Sequence, residues 1–262
     1  MEMEERYLVP GLMRGLAILE LFGHEQQALT ISELAEKLGV NRSSAFRLAY
    51  TLESCGYIRK SQDSKRYTLD AKVMGLGFKY LSGLDLIEAA RPILSQLRDD
   101  TSLACNLVIL QDKDIVYIDQ CQASGSFTSR VRVGTRWPAY ATVIGQLLLS
   151  DKPTEVVEAL YANETEWQSY SDKTPQGLPQ LLARLEAIRG QSAMVSWGHF
   201  NHNMATCASP VFRRDDGKMV AVISASCPLG MFTEAVFHDE VKPKVIDAAE
   251  RLSQQLTRHN YL

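Results

Sequence analysis

The sequence predicts an α+β fold in two parts, a small helical domain with a β-hairpin followed by a larger domain built on an antiparallel sheet. Apolar residues recur at helical spacing near the N-terminus, whereas short strand-like runs alternate with helical ones from Leu103 onward. The chain has 262 residues, of which 45% are hydrophobic and 23% charged. It is therefore large enough for two ordinary globular domains.

Residues 30–57 predict two short helices joined by a tight turn. Thr30 and Glu33 have the spacing of a capping box, Gly39 can end the first helix, and Asn41 can cap the second. Such a pair is typical of a helix-turn-helix, whose second helix enters the major groove of DNA. The apolar side chains expected to face inward on the second helix are Ala45, Leu48, Ala49 and Leu52, and the residues expected at the DNA are Asn41, Arg42, Ser43, Ser44, Phe46 and Arg47.

The flanking segments complete a winged helix-turn-helix over roughly residues 10–70. The run LMRGLAILELFG predicts a supporting helix that ends at Gly23, with Leu12, Leu16, Leu19 and Phe22 inward. The runs YIRKS and KRYTL, separated by QDS, predict a hairpin with Lys65 and Arg66 near its tip. We expect these two cations to hold the DNA backbone. The alternative is a plain surface hairpin.

Charge is unevenly distributed along the chain. The whole protein carries −3, but residues 40–79 contain eight basic and three acidic residues and therefore carry +5. A basic patch on an acidic protein suits contact with phosphates on one face, although a solvated mixed surface would look similar.

After the hairpin, AKVMGLGFKYLSGL predicts a linker helix interrupted by Gly75, Gly77 and Gly83. These glycines allow either bending or close helix packing. DLIEAARPILSQLRDDT predicts another helix, with Pro92 at a kink or a helix start. The predicted domains are therefore residues 1–70, a linker at 71–88, and 89–262.

The remaining segment predicts strands flanked by helices on one side. Strands are expected in SLACNLVILQ, DIVYIDQCQ, RVRVG, SAMVSW, MATCASPVF and KMVAVISASC, and helices in YATVIGQLLLS, PTEVVEALY, GLPQLLARLEAIRG and the stretch from residue 233 to 262.

Catalytic and metal-binding signals are weak. There is no G-x-S-x-G, phosphate-loop or G-x-G-x-x-G motif, so we predict a protein that is not an enzyme and needs no cofactor. His199 and His202, with Cys207 and Cys227 downstream, form the nearest metal-like pattern, but histidines in a structural or surface role explain it better. Five cysteines without C-x-x-C spacing, no signal peptide and no apolar run long enough for a membrane span predict a cytoplasmic protein.

A ligand pocket is a stronger hypothesis. Ser224 and Ser226 lie two apart on an apolar strand, so both hydroxyls face one side of the sheet, with Thr206 and Cys207 on the preceding strand. A helix begins after Pro138, and the free N–H groups at its start can bind a small carboxylate. The alternative is that Thr142 only caps that helix and the serines are bonded within the core.

Several ordered motifs resemble the IclR family of bacterial transcription regulators. They are RGLAILELF at 14–22, ISELAEKLGVNRSSAFRLAYTLESCGYI, YTL at 67–69, RVRVGTRWPAYATVIGQLLLS at 130–150 and ASPVFRRDDGKMVAVISASCP at 208–228. The resemblance implies a winged helix-turn-helix, a linker helix and a GAF-like effector domain that assemble as a homodimer or homotetramer on a palindromic operator. It implies repression, activation or both in response to a small organic acid. It also implies effector contacts at Thr142, Val143, Ile144, Thr206, Cys207, Ser224 and Ser226.

This chain departs from the family pattern at several positions. Tyr140 stands where a histidine is usual, Gln146 replaces a lysine, and the segment 195–203 lacks the usual acidic pattern. We expect Tyr140 and Trp197 to add aromatic surface to the pocket, which favours an aromatic or larger catabolic acid over a two-carbon one. The competing class is a metal-dependent sensor or enzyme-like domain fused to a DNA-binding head.

Overall fold

The computed structural model describes residues 5–23, 26–123 and 131–256. The chain divides into two compact units, Met1–Leu81 and Ser82–Leu262. The predicted functional boundaries at residues 70 and 88 stay a prediction. Among the described residues, no helix is both long enough and apolar enough to span a membrane.

The first unit is a three-helix core with a two-stranded hairpin and one further helix. Buried Ile18, Leu34, Ala45 and Ala49 join its three core helices. Its elements are a short 3₁₀ turn at Glu5–Tyr7, α1 Pro10–Glu20, α2 Ile31–Leu38, α3 Arg42–Ser54, β1 Ile58–Lys60, β2 Tyr67–Leu69 and α4 Lys72–Ser82.

Of the four side chains predicted to face inward from the supporting helix, Leu19 and Phe22 pack in the core as expected, whereas Leu12 and Leu16 do not. Leu12 and Leu16 are 62% and 53% exposed, whereas Ile18 is fully buried and Phe22 lies beside it in the core. The helix also ends at Glu20 and not at Gly23. The spacing of Leu12 and Leu16 marks an apolar stripe correctly, but the core takes the neighbouring stripe through Ile18.

The wing is an antiparallel hairpin in which Ile58 pairs with Leu69 and Lys60 with Tyr67. Tyr67 also exchanges two backbone hydrogen bonds with Leu29, at 2.7 and 2.9 Å. The segment before α2 therefore extends the hairpin. Since Tyr67 is also buried in the core, the wing is fixed to the helices rather than projecting alone.

The second unit contains one six-stranded antiparallel sheet in the order β5-β4-β3-β8-β7-β6. Its strands are β3 Ala104–Gln111, β4 Asp114–Cys121, β5 Arg136–Pro138, β6 Met194–Trp197, β7 Met204–Phe212 and β8 Met219–Pro228. Its helices are α5 Asp85–Thr101, α6 Val143–Ser150, α7 Thr154–Tyr161, α8 Leu178–Ile188, α9 Glu234–Val236 and α10 Lys242–Gln255.

Helices cover both faces of this sheet, and the expectation of helices on one side was wrong. Ala208 and Val222 point toward α6, α7 and α8, which share one hydrophobic cluster with them. On the other face α5 packs on β3 and β4, and α10 packs on β7 and β8. In the middle of the central strands neighbouring residues are consequently buried on both faces, which hides the alternation expected of a half-exposed sheet.

Two element predictions need further correction. The run RVRVG does not form the expected strand. Residues 131–135 lie outside any strand, and β5 begins only at Arg136. Arg130 lies outside the described residues. The long final helix is divided into α9, a π-helical turn at Phe237–Val241, and α10, which ends at Gln255. Residues 257–262 of that prediction lie outside the described residues.

Gly145 is required by a close backbone approach at the start of α6. A short 3₁₀ turn, Ala139–Ala141, leads into α6 and packs against it. A Cβ atom at residue 145 would lie 2.3 Å from the Cα and the carbonyl oxygen of Ala139. Only glycine allows this approach, because backbone atoms cannot rotate away as a side chain can.

We therefore predict that Gly145→Ala lowers the free energy of unfolding of the second unit by about 1–3 kcal/mol, the range of overpacked sites. Gly177→Ala is a matched control, since its backbone is extended (φ 171°) and its added Cβ would make only an ordinary 3.7 Å contact with Pro179. Urea unfolding of both variants measures the difference. Equal stability of the two would contradict the close-contact explanation.

Candidate functional site

The residues before and within α3 have the geometry predicted for a recognition helix. Thr30 and Glu33 form the reciprocal capping box of α2, and Gly39 ends that helix in a left-handed conformation with φ 63°. The side-chain oxygen of Asn41 accepts a hydrogen bond from the N–H of Ser44 at 2.8 Å. Asn41 thus caps α3, so its side-chain oxygen is already bonded.

The outward face of α3 carries polar and aromatic side chains. Ala45 and Ala49 are fully buried beneath it. Arg42, Ser43 and Arg47 are exposed, and Ser44 is partly buried. Phe46 and Tyr50 are exposed to 48% and 60%. The structure thus leaves the predicted side chains accessible and adds Tyr50, which the sequence reading missed although it lies one turn after Phe46.

Arg66 has a different environment from the one predicted. Its guanidinium donates to the carbonyl of Ala28 at 2.9 Å and to the two carboxylate oxygens of Glu33 at 3.3 and 3.4 Å. Hydrogen bonds from Thr30 and the charge of Arg66 hold the pKa of Glu33 below its usual value. Arg66 therefore braces the wing against the capping box of α2, and its bonds are already used within the fold.

Lys65, in contrast, stays available at the tip of the wing. It is exposed and has a left-handed backbone with φ 52°, in the turn that Arg66 closes by accepting a hydrogen bond from Ser61. Lys65 is thus the more exposed of the two predicted wing cations, and its contact with phosphate stays a prediction.

The second unit contains a cavity of about 130 Å³ between the sheet and the start of α6. Its wall includes an edge-to-face aromatic pair, Trp137 and Phe200, with ring centroids 4.8 Å apart. Tyr117 also contributes, and burial raises the pKa of its hydroxyl. The residues that line the cavity are Asn106, Tyr117, Val131, Trp137, Thr142, Val143, Ile144, Ser196, Phe200, Asn201, Met204, Thr206 and Ser226.

The cavity has several polar residues in its lining but no charged one. The hydroxyls of Thr206 and Ser226 lie 3.0 Å apart. Thr142 caps α6 by accepting a hydrogen bond from the N–H of Gly145 at 2.9 Å. The N–H groups of Val143 and Ile144 lie in the first turn of α6. N–H groups in this position have no hydrogen-bond acceptor within the helix, so they can bind an anion.

Four of the nine predicted effector residues do not line the cavity. Tyr140 donates its hydroxyl to the carbonyl of Gln168 and packs against Trp167. Trp197 and Cys207 alternate with Ser196 and Thr206 along their strands and so face the other side of the sheet, where Trp197 contacts Phe237.

Ser224 lies beneath the cavity and not at its surface. It is fully buried, and its hydroxyl accepts a hydrogen bond from the side-chain amide of Asn106 at 3.3 Å. Asn106 in turn accepts from Gln120 at 3.1 Å. The serine is thus bonded within the core, as the alternative interpretation expected, while Thr142, Val143, Ile144, Thr206 and Ser226 remain candidates for effector contact.

Eight of the thirteen lining residues were not predicted from the sequence, among them Asn106, Ser196, Trp137 and Phe200. Strand register supplies the missing signal for two of them, because Asn106 pairs with Ser224, and Ser196 pairs with Thr206. The two aromatic residues come from different segments that meet only in the fold.

No group of three or more His, Cys, Asp or Glu able to hold a metal occurs within the described residues. Burial lowers the pKa of His199, which is partly buried, whereas His202 is exposed. Burial also raises the pKa of the Cys207 thiol to about 12 and that of Cys227 to about 11. These thiols are therefore protonated near neutral pH and are poor nucleophiles and metal ligands.

A DNA-reading head joined to a sheet domain with a ligand-sized cavity defines a one-component transcription regulator. Family comparison agrees: residues 11–62 match the IclR helix-turn-helix domain, and residues 78–254 match the bacterial transcriptional regulator IclR C-terminal domain. The chain belongs to the IclR family of transcriptional regulators.

Individual relatives are similar over almost the whole chain. The transcriptional regulator KdgR of Dickeya chrysanthemi is 28% identical over 97% of this chain and 82% of its own length. The p-hydroxybenzoate hydroxylase transcriptional activator of Acinetobacter baylyi is 28% identical over 93% of this chain and 90% of its own. The crystal structure of a transcriptional regulator from Rhodococcus sp. RHA1 superposes with a TM-score of 0.79 at 30% identity, covering 95% of this chain and 98% of that one.

The two wing cations should respond differently to neutralisation. Lys65→Gln should leave the melting temperature unchanged and reduce the slope of log affinity against log salt by about 1, as expected for one lost phosphate contact. Arg66→Gln should lower the melting temperature, because it removes the ion pair with Glu33 and the hydrogen bond to the Ala28 carbonyl. Salt titration of DNA binding and thermal unfolding of both variants measure the effects. A lower melting temperature for Lys65→Gln than for Arg66→Gln would show that the bonds of Arg66 do not stabilise the fold.

Proposed function

We propose that this protein is a DNA-binding regulator that responds to a small aromatic carboxylic acid, binds a palindromic operator as a homodimer or homotetramer, and acts in the cytoplasm without catalytic activity. Residues 1–70 would bind DNA, 71–88 would link the domains, and 89–262 would bind the effector and oligomerise. The observation that carries the effector part is the cavity, which is lined by the first turn of α6, by the hydroxyl-bearing residues Thr206 and Ser226, and by the rings of Trp137 and Phe200.

The size and polarity of the cavity support a ligand with one ring. Its volume of about 130 Å³ is close to that of cavities that admit benzene, ~150 Å³. A carboxylate at Val143 and Ile144 would be neutralised by the positive end of α6 and could bond to the hydroxyl of Ser226 or Thr206. Trp137 and Phe200 would then contact the ring. The named target of one relative, a p-hydroxybenzoate hydroxylase, is consistent with such an acid.

Exposed apolar side chains on the first unit support self-association. Leu12, Met13 and Leu16 on α1 are each at least 51% exposed, and Met74 and Tyr80 on α4 are 76% and 50% exposed. Exposed large apolar side chains that are concentrated on two helices are typical of a surface that contacts another molecule. A second copy of this chain would cover them and would also pair two reading heads for the two half-sites of a palindrome.

A thermal-shift screen tests the effector. Benzoate or a hydroxybenzoate at about 100 times its dissociation constant should stabilise the native state by about 2.7 kcal/mol and raise the melting temperature of the second unit by roughly 5–10 °C. Benzamide is the control, because it keeps the ring and loses the charge. Combining Thr206→Val with Ser226→Ala should abolish the shift, whereas Trp197→Phe on the other face should retain it. A larger shift with pyruvate-sized acids would contradict the aromatic assignment.

Base reading by α3 is tested by Arg47→Ala on an operator selected from random duplexes. If Arg47 forms a bidentate contact with a base, its loss should cost about 1–3 kcal/mol on the operator and much less on unrelated DNA. Fluorescence anisotropy with both duplexes measures the difference, and a single half-site tests the palindrome. Equal losses on both DNAs would mean that Arg47 contacts only phosphate.

A further inference from the structure

The recognition helix α3 exposes two aromatic rings that do not contribute to the packing of the domain core. Phe46 and Tyr50 lie one turn apart, are 48% and 60% exposed, and have ring centroids 6.1 Å apart with 31° between their planes. The side of α3 that faces the core is occupied by the buried residues Ala45 and Ala49. The pair is therefore not part of the core, and it presents apolar surface to water that a partner would remove.

The position of the pair identifies which partner would cover it. Ser43, Phe46, Arg47 and Tyr50 follow each other at i, i+3, i+4 and i+7, so they lie on the outward face of α3. Base-reading residues of a homeodomain recognition helix have the same spacing. Arg42 and Arg47, both exposed, lie beside the rings and favour a polyanion over an apolar protein surface.

Only one base offers a good contact to a phenyl ring in the major groove. Phe46 has no donor or acceptor, so it gains nothing from the hydrogen-bonding edges of guanine, adenine or cytosine. Thymine alone presents a methyl group there, at carbon 5, and apolar side chains recognise it by contact. The Tyr50 ring lies beside the Phe46 ring and restricts its rotation, which reduces the freedom that Phe46 loses on binding.

We infer that Phe46, backed by Tyr50, reads a thymine in each operator half-site through its 5-methyl group. This inference rests on the proposed function, since it requires that α3 enters the major groove of the operator. It assigns to Phe46 a specificity role that hydrogen bonding from Arg47 and Ser43 cannot supply.

Replacing thymine by deoxyuridine tests this contact, because it removes the methyl group and leaves base pairing intact. The full-length protein first selects its operator from random duplexes, and each thymine of that operator is then replaced singly by deoxyuridine. At one thymine per half-site the wild-type affinity should fall about fourfold, the equivalent of one buried methyl group. Phe46→Ala should bind the thymine and deoxyuridine operators with equal affinity.

Two further variants keep the result interpretable. Phe46→Leu retains an apolar side chain and should keep most of the discrimination, while Val156→Ala, an exposed apolar position on α7, should behave as wild type. Melting temperatures verify that each variant is folded. Wild-type protein that tolerates deoxyuridine everywhere, or Phe46→Ala that still discriminates, overturns the inference while the regulator function stands. Failure to select any operator overturns both. A change only in oligomeric state with Phe46→Ala would assign the rings to a protein contact instead.

Discussion

The pairing of β8 between β3 and β7 is the constraint on which the effector domain depends. In this register Asn106 faces Ser224 and Thr206 faces Ser226, so the polar side chains of three strands come together on one face. Cys105, Ala225 and Cys207 form the next row and turn to the opposite face. A shift of one residue in β8 would exchange these sets and bury two serines against the helices α5 and α10. The same register therefore gives the core its apolar contacts and the cavity its hydrophilic end.

In the DNA-binding unit a few residues combine several tasks. Glu33 completes the capping box of α2 and also accepts hydrogen bonds from the guanidinium of Arg66. It thereby links the helix pair to the wing. Backbone pairing of Leu29 with Tyr67 makes a second link between the same two parts. The relative position of the recognition helix and the wing tip is consequently fixed by the fold, which reduces the entropy that would be lost on binding DNA.

Local signals in the sequence were sufficient for much of this structure. The capping box at Thr30 and Glu33, the left-handed Gly39 and the Asn41 cap are short-range patterns, and all of them are observed. Local patterns were insufficient where a side chain could find its partner in more than one place. An arginine near the tip of a wing is typical of a phosphate contact, but only the fold shows that Arg66 donates hydrogen bonds to Glu33 and to the Ala28 carbonyl.

The candidate cavity shows the same limit. Spacing predicted that Ser224 and Ser226 share a face, yet it could not show that Asn106 bonds one of them below the surface. Adjacent Thr206 and Cys207 could not both point inward, and only the strand register decides between them. Trp137 and Phe200 are 63 residues apart in the sequence, and no local pattern connects such residues.

The tight contact between Gly145 and Ala139 has a mechanical consequence. With no space between the first turn of α6 and the preceding 3₁₀ turn, these two segments can move only as a rigid body. That body includes Tyr140, whose hydroxyl is bonded to the Gln168 carbonyl and whose ring rests on Trp167. A displacement of a few tenths of an ångström at the helix start would thus be transmitted to the segment 164–170 on the surface of the domain.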